Sequence, residues 1–298
     1  MILHQVRILI ASSLAAITVL FFYFATLQVT TSKAIPKPEF HSFRASFHSY
    51  EVTPLPNLRI LPLGDSITFG YLSTTGNGYR AHLLDLLNFK FPSITYIGTQ
   101  NSGSMMNNEN EGHPGYMIHD IAKKALPSLA QQPNIILVMA GTNDIARPYM
   151  VEDAPWRLGA LIDFILLACP FSTVIVAQLA PVTEPPEAEN MIKIFNSQIP
   201  EMVAARQAAG KKVLSVDMSR DFVKEAYLND GVHPTDSGYK HIAETWHKGI
   251  LQAVQYGWVW EPISVGRKGR PTKLLGPDGT EVPLRPIVED GRICEICV

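Results

Sequence analysis

The chain has 298 residues, of which 17% are charged, and its 25 Lys and Arg residues nearly balance its 27 Asp and Glu residues. A net charge of −2 argues against a nucleic-acid-binding protein, which would carry a basic excess, and against an acidic disordered protein. With 20 Gly, 22 Pro and 3 Cys, the composition also excludes collagen-like and disulfide-dense classes. The length suits one large domain or two small ones.

Near the N-terminus, residues 8–29 form a run without a single charged side chain. About 20 apolar residues are enough to span a bilayer as a helix, whereas the apolar core of a signal peptide usually has about 7–15. Residues 32–34 (Ser-Lys-Ala) resemble a signal-peptidase cleavage site. We therefore predict a signal anchor or a cleaved signal peptide over residues 1–34. Either one would direct the rest of the chain into the secretory pathway, as an extracellular or membrane-tethered domain on the lumenal side.

A Pro-containing linker over residues 35–57 precedes a regular pattern of apolar runs. Short apolar or β-branched runs predict strands at residues 58–63, 94–97, 134–140, 173–179 and 213–216. Helical spacing of apolar residues predicts helices at residues 79–90, 156–168, 189–209 and 236–254. Nearly continuous apolar strands that alternate with helices are typical of a parallel sheet covered on both faces. We expect an α/β fold over residues 58–256, a three-layer α/β/α sandwich with a flavodoxin-like, parallel five-stranded sheet.

The tail over residues 257–298 departs from this pattern because it is rich in Pro and Gly. Residues 273–282 within it predict a small β-hairpin. We interpret the tail as a C-terminal extension that packs on the main domain, and not as a second catalytic domain. In an oxidising compartment, Cys294 and Cys297 could bridge each other, or one of them could pair with Cys169. As a free thiol, Cys169 would fit a buried small apolar position.

Three polar segments follow strands or precede the last helix of this predicted sheet. They are Gly64-Asp65-Ser66-Ile67-Thr68, Gly141-Thr142-Asn143-Asp144 and Asp230-Gly231-Val232-His233-Pro234. Open α/β sheets bind ligands beyond the carboxyl ends of their strands. The convergence of three polar segments at that end predicts a functional site there.

The residue types in these segments suit acyl-transfer chemistry. Ser66 lies between a strand and a helix, so it fits either a nucleophile near free helix N–H groups or a helix N-cap. Asp230 precedes His233 by three residues, so its carboxylate can hold Nδ1–H and leave Nε2 free to take a serine proton; a structural His beside a capping Asp is the alternative. Asn143 can donate to an oxyanion or serve the turn, and Gly115 offers an unobstructed N–H. A metal site is disfavoured because no second His or Cys lies at ligand spacing near His233.

Taken in chain order, these pieces resemble a known family. Gly64-Asp65-Ser66-Ile67-Thr68, Gly115, Gly141-Thr142-Asn143-Asp144 and Asp230-x-x-His233 resemble the four blocks of the SGNH (GDSL-type) hydrolases. Residues 111–118, residues 230–239 and Phe195-Asn196 with Ile199-Pro200 resemble the carbohydrate esterase family 3 branch, whose members are similar to acetylxylan esterases. One departure is Phe69, which follows the first block where related sequences often carry an acid.

The resemblance implies a role for each matching residue. Ser66 would be the nucleophile, His233 the general base and Asp230 the residue that orients His233. The backbone N–H groups of Ser66 and Gly115 and the side-chain amide of Asn143 would form the oxyanion hole. The resemblance implies no metal and no organic cofactor.

The implied function is a serine esterase that hydrolyses carboxylic esters, above all acetyl esters, on carbohydrate or another small ester substrate through an acyl-enzyme. One alternative is a lipid or lysophospholipid esterase at a membrane, tethered through residues 8–29. The other is a non-catalytic, glycan-binding surface protein on the same fold. The sequence predicts no nucleic-acid partner, and it leaves the oligomeric state open.

Overall fold

A largely parallel β-sheet forms the centre of the computed structural model, which describes residues 54–265. Within that part the strands are β1 (Leu58–Gly64), β2 (Ile94–Tyr96), β3 (Gln100–Asn101), β4 (Glu109–Gly112), β5 (Ile135–Met139), β6 (Thr173–Gln178) and β7 (Val213–Asp217). Five of them run parallel in the order β2–β1–β5–β6–β7, which is the flavodoxin-like order. Each of the five lies where the sequence predicts a strand, so the predicted fold class is confirmed.

Two short strands, β3 and β4, extend the predicted five-stranded sheet. β4 pairs in parallel with the last residues of β1, where Leu63 lies opposite Glu111 and Gly64 opposite Gly112. β3 pairs antiparallel with β4. Neither strand is predicted, because their sequences (Gln-Asn and Glu-Asn-Glu-Gly) have no apolar alternation. Their addition at the carboxyl end of β1 matters for the site, since β4 leads directly into Gly115.

Helices cover the sheet. They are α1 (Ser66–Phe69), α2 (Tyr79–Asn88), α3 (Ile118–Leu129), α4 (Thr142–Ala146), α5 (Ala154–Ala168), α6 (Ala188–Ala208), α7 (Lys224–Tyr227) and α8 (Asp236–Gln255), with a 3₁₀ turn at Val151–Asp153. The four predicted helices correspond to α2, α5, α6 and α8. Helix α3 is not predicted, although Ile118, Ile121, Ala125 and Leu129 are all buried at helical spacing; Pro127, inside its last turn, obscures the pattern.

The helices form two layers around a core filled from both faces of the sheet. Helices α2 and α8 pack against each other, whereas α3, α5 and α6 pack in series. Every residue of β5 is buried, as expected for a strand with helices on both faces. Trp246 of α8 is the largest fully buried side chain among the described residues.

Residues 257–264, which follow α8, cross the edge of the sheet where the parallel strands begin. Three carbonyls of this strap accept side-chain hydrogen bonds: Trp258 from Thr173 (3.1 Å), Trp260 from Asn134 (2.6 Å) and Ile263 from Arg59 (2.8 Å). Lys212 Nζ lies 2.7 Å from the centroid of the Trp260 ring. The strap therefore closes the end of the sheet opposite to the polar segments.

Several predicted features fall outside the described residues: the signal segment over 1–34, the hairpin over 273–282, Cys294 and Cys297. Cys169 is a buried free thiol, and burial raises its pKa to about 12. None of the helices in the described part of the chain is both long and apolar enough to cross a bilayer. The boundaries of the hydrolase domain at residues 58 and 256 stay predictions.

Candidate active site

Strand β1 delivers Ser66 to the carboxyl end of the sheet. The strand ends at Gly64, where a Cβ atom would lie 2.3 Å from the Met139 carbonyl oxygen, so only glycine fits. Asp65 caps α1 by accepting a hydrogen bond from the Ile67 N–H (2.9 Å). Ser66 is therefore the first residue of α1, and its own N–H is one of the groups for which a helix has no internal acceptor.

His233 and Asp230 meet Ser66 from the loop before α8. The Ser66 hydroxyl oxygen lies 2.8 Å from His233 Nε2, and His233 Nδ1 lies 2.8 Å from one carboxylate oxygen of Asp230. The other Asp230 oxygen accepts hydrogen bonds from the backbone N–H groups of His233 (2.7 Å) and Val232 (3.1 Å). The loop thus holds the carboxylate and the imidazole in one fixed arrangement, with Nε2 aimed at the serine.

The ionisation state of Asp230 determines which ring nitrogen of His233 carries a proton. Partial burial would raise the pKa of its carboxyl, but the hydrogen bonds from His233 and Val232 outweigh burial and hold the pKa below its ordinary value. An ionised carboxylate only accepts hydrogen bonds, so His233 Nδ1 carries the proton. In the neutral imidazole this places the lone pair on Nε2, which lies 2.8 Å from the hydroxyl oxygen of Ser66.

Gly115 lies in a tight turn that directly follows β4, whose last residue, Gly112, lies opposite Gly64 at the end of β1. The Tyr116 N–H donates to the His113 carbonyl (3.1 Å), Pro114 is the second residue of the turn, and Gly115 has φ +81°. These are the features of a type II turn, whose third residue needs a positive φ. The Gly115 carbonyl accepts a hydrogen bond from the guanidinium of Arg147, which ties the turn to the residue that follows α4.

Asn143 connects this turn to the segment after β5. Its side-chain N–H₂ group donates to the Tyr116 carbonyl over 3.0 Å. An amide carries two N–H bonds, so one remains for a ligand. The structure thus brings all five residues singled out in the sequence to the carboxyl end of the sheet.

We compared the chain with known protein families. The sequence matches the GDSL-like Lipase/Acylhydrolase family over residues 63–241, more than half of the chain. The chain belongs to this family. The resemblance to SGNH (GDSL-type) hydrolases is therefore confirmed.

Solved structures and curated sequences extend the comparison. A family 3 carbohydrate esterase from Clostridium thermocellum is 34% identical over 66% of this chain and 98% of that one, with a TM-score of 0.60. A carbohydrate esterase family 3 structure from Talaromyces cellulolyticus, 24% identical over 67% and 99% of the two chains (TM-score 0.57), supports the fold. A multidomain esterase from Ruminococcus flavefaciens is 25% identical over 65% of this chain and 28% of that protein. The chain spans about half or less of the length of the curated relatives it matches.

One feature of this GDSL-family site is missed by the sequence reasoning: a buried pair, Glu111 and His113. The Glu111 carboxylate lies 2.6 Å from His113 Nε2 and also accepts hydrogen bonds from the N–H and hydroxyl of Thr99 and from the Ser128 hydroxyl. Burial would raise the pKa of Glu111, but these donors together lower it, so the carboxylate is ionised and Nε2 of His113 is the donor. The His113 ring stacks on Tyr116 at 4.9 Å between centroids.

Asp144 and Arg80 are two further buried charges that shape the site. Asp144 accepts a hydrogen bond from Arg157 (2.8 Å) and from the Ile118 N–H (3.0 Å), which ties the Asn143 segment to the start of α3. Arg80 donates to the carbonyls of Phe69, Gly76, Ser102 and Asn108. The sequence marks Asp144, which belongs to the polar segment Gly141-Thr142-Asn143-Asp144. Nothing in the sequence marks Arg80, because helical arginines usually face solvent.

The part of the chain that the structure describes contains no group of three or more His, Cys, Asp or Glu side chains arranged to hold a metal ion.

Proposed function

We propose that this chain is a serine esterase that hydrolyses acetyl esters on carbohydrate through an acyl-enzyme on Ser66. The observation that carries the proposal is the continuous hydrogen-bonded line from Ser66 through His233 to Asp230, at 2.8 Å for each side-chain step. A nucleophile, a base and a group that orients the base, linked in this order, are what acyl transfer by a serine requires.

Acylation begins when the Ser66 hydroxyl oxygen attacks the ester carbonyl carbon. The hydroxyl proton moves to His233 Nε2, and Asp230 stabilises the imidazolium that results. Negative charge develops on the former carbonyl oxygen. The N–H groups of Ser66 and Gly115 and the free N–H of Asn143 donate to that oxygen.

The tetrahedral intermediate collapses when the bond between the carbonyl carbon and the alcohol oxygen breaks. His233 returns its proton to the departing alcohol, which leaves the acetyl group on Ser66. A water molecule then attacks the acetyl carbon while His233 takes one of its protons. The second collapse releases acetic acid and restores the serine hydroxyl.

The choice of an acetylated carbohydrate as substrate is supported by the likeness to the family 3 carbohydrate esterase from Clostridium thermocellum, and the likeness to the multidomain esterase supports an ester substrate. The lipid esterase alternative depends on a tether through residues 8–29, and its test is a substrate comparison. We also propose that the catalytic domain acts on the lumenal or extracellular side. Residues 8–29 form a long apolar segment without charged side chains, as expected for a signal anchor or signal peptide. Protease protection of the full chain in membrane vesicles tests this placement.

The decisive experiment measures acetate release from acetylated xylan and fatty-acid release from lysophosphatidylcholine by the full chain. Ser66→Ala should abolish acetate release, whereas Ser197→Ala, at an exposed serine of α6, should not change it. Asn143→Ala should remain folded and lose about 10²- to 10³-fold in kcat. Acetate release that survives Ser66→Ala would refute the assignment of the nucleophile. Faster cleavage of the lysophospholipid than of acetylated xylan would refute the substrate class.

A further inference from the structure

Tyr71 is a large aromatic residue that lies exposed beside the site. The residue is 47% exposed, and its ring meets His233 in an edge contact, with the ring centroids 4.8 Å apart and the planes inclined at 63°. An edge contact leaves at least one face of the Tyr71 ring uncovered by the imidazole. The ring therefore presents a flat apolar surface next to the imidazole of His233.

The backbone of Tyr71 is held on both sides. Its N–H donates to the Ser66 carbonyl (3.0 Å), and its carbonyl accepts a hydrogen bond from the hydroxyl of buried Tyr239 (2.6 Å). The next residue, Leu72, has φ +61°, a conformation that non-glycine residues rarely adopt. Such a backbone persists only where its surroundings fix it, and it is found most often at functional sites.

The position next to His233 defines which part of the substrate Tyr71 meets. In the proposed reaction, His233 protonates the departing alcohol oxygen. That oxygen must come within hydrogen-bond distance of Nε2, so the carbon framework of the alcohol lies beside the imidazole. Because the Tyr71 ring contacts the His233 imidazole, with 4.8 Å between the ring centroids, it lies within reach of that carbon framework.

We propose that Tyr71 is a specificity-determining residue whose exposed face stacks against a sugar ring on the alcohol side of the ester. The C–H groups on one face of a pyranose match an aromatic face in size and polarity, while the sugar hydroxyls stay in water. A rigid aromatic surface binds at low cost in conformational entropy, which favours a preformed platform over a flexible one. This inference rests on the proposed function, because it assumes that His233 serves the leaving alcohol.

The test compares two acetyl esters that differ only in the alcohol: mono-acetylated xylobiose and ethyl acetate, each followed in a pH-stat. p-Nitrophenyl acetate is unsuitable because its flat leaving group would itself stack on the ring. Tyr71→Ala should lower kcat/KM for acetylated xylobiose about three- to tenfold, mainly through KM, and leave kcat/KM for ethyl acetate within twofold. Tyr71→Phe should retain the activity on both esters.

Tyr256→Ala is the matched control. Tyr256 is equally exposed (50%) and also contacts an aromatic ring, but it follows α8 and packs on Trp258 of the strap. Tyr256→Ala should leave kcat/KM unchanged on both acetylated xylobiose and ethyl acetate. An equal loss on both esters in Tyr71→Ala would overturn the proposal, because it would mean that Tyr71 only supports His233. Unchanged kinetics on acetylated xylobiose would overturn it as well, and Ser66→Ala separately reports whether the esterase assignment itself fails.

Discussion

Nε2 of His113 lies 2.6 Å from the fully buried carboxylate of Glu111, and His113 is the first residue of the turn that contains Gly115. The backbone N–H of His113 donates a hydrogen bond to the carbonyl of Gly64 (3.0 Å), so His113 is also attached to the end of β1. On the far side of the turn, Asn143 holds the Tyr116 carbonyl. The turn that contains Gly115 is thus held at both ends, by His113 and by Tyr116.

His113→Phe should therefore lower kcat on the order of tenfold to a hundredfold, with little change in KM. Phenylalanine keeps the stacking on Tyr116 but removes the donor to Glu111, so the turn loses one fixed end. A small displacement of an oxyanion donor weakens an interaction made mainly in the transition state, and such a loss appears in kcat. Steady-state kinetics on an acetyl ester, with thermal unfolding to verify the fold, measures it.

His113→Gln serves as the conservative control, since its side-chain amide can place an N–H near the position of Nε2. It should recover part of the kcat that His113→Phe loses. If the two variants are equally impaired, or if KM rises while kcat stays constant, then the pair does not position the turn.

Gly115→Ala should separate backbone strain from catalysis when it is compared with Gly210→Ala. Both glycines have a similar positive φ (+81° and +75°), and both have room for a Cβ, with the nearest atom 3.9 Å away at Gly115 and none within 4 Å at Gly210. Each substitution should cost about 1–2 kcal/mol of stability in urea unfolding. Only Gly115→Ala should lose activity, because a turn that relaxes toward negative φ rotates the N–H away. Equal activity in both variants would argue against a role for the Gly115 N–H.

The buried carboxyl of Asp65 should make the free energy of unfolding depend on pH. Burial raises its pKa to about 6, above the ordinary value of 3.8, and the hydrogen bond from Ile67 offsets burial only in part. Between these two pH values the folded chain binds more protons than the unfolded chain, so this residue makes stability fall as pH rises from about 4 to about 6. Over this pH range the free energy of unfolding should fall by about 3 kcal/mol.

Asp65→Asn keeps an oxygen that can cap α1 and removes the titration. Urea unfolding at several pH values should show a flatter dependence between pH 4 and pH 6 in this variant than in the original chain. Asp85→Asn, at an exposed position of α2, is the control and should leave the dependence unchanged. A dependence that survives Asp65→Asn would mean that other groups cause it.

The core of the fold and the principal residues of the site could be predicted because they follow simple patterns. Apolar runs place the strands, and parallel strands bring their carboxyl ends together, so Ser66, Asn143 and His233 had to lie near one another. The Pro-Gly pair before Tyr116 is typical of a turn with a positive φ at Gly115.

The rest depends on tertiary contacts that leave no local pattern. Glu111 lies in a polar strand, and its ionised state is set by Thr99 and Ser128, which are distant in sequence. Arg80 is fully buried on α2 because its guanidinium donates to four carbonyls, one at the last residue of α1 and three in loops. A polar residue becomes a core residue only where such partners converge, and spacing along one helix does not report them.

Trp260 belongs to the strap at the end of the sheet opposite to Ser66, so its substitution should affect stability and not activity. Its ring lies over Lys212 and near Phe171 (6.0 Å between centroids), so Trp260→Ala removes a cation–π contact and the packing of the strap. The substitution should lower the free energy of unfolding by about 1–3 kcal/mol and leave kcat/KM on an acetyl ester within twofold, because the strap touches the starts of the strands and the site lies at their ends. Trp156→Ala, at a tryptophan of α5 that is 64% exposed, should cost far less stability. A large loss of kcat/KM in a folded Trp260→Ala variant would show that the two ends of the sheet are coupled.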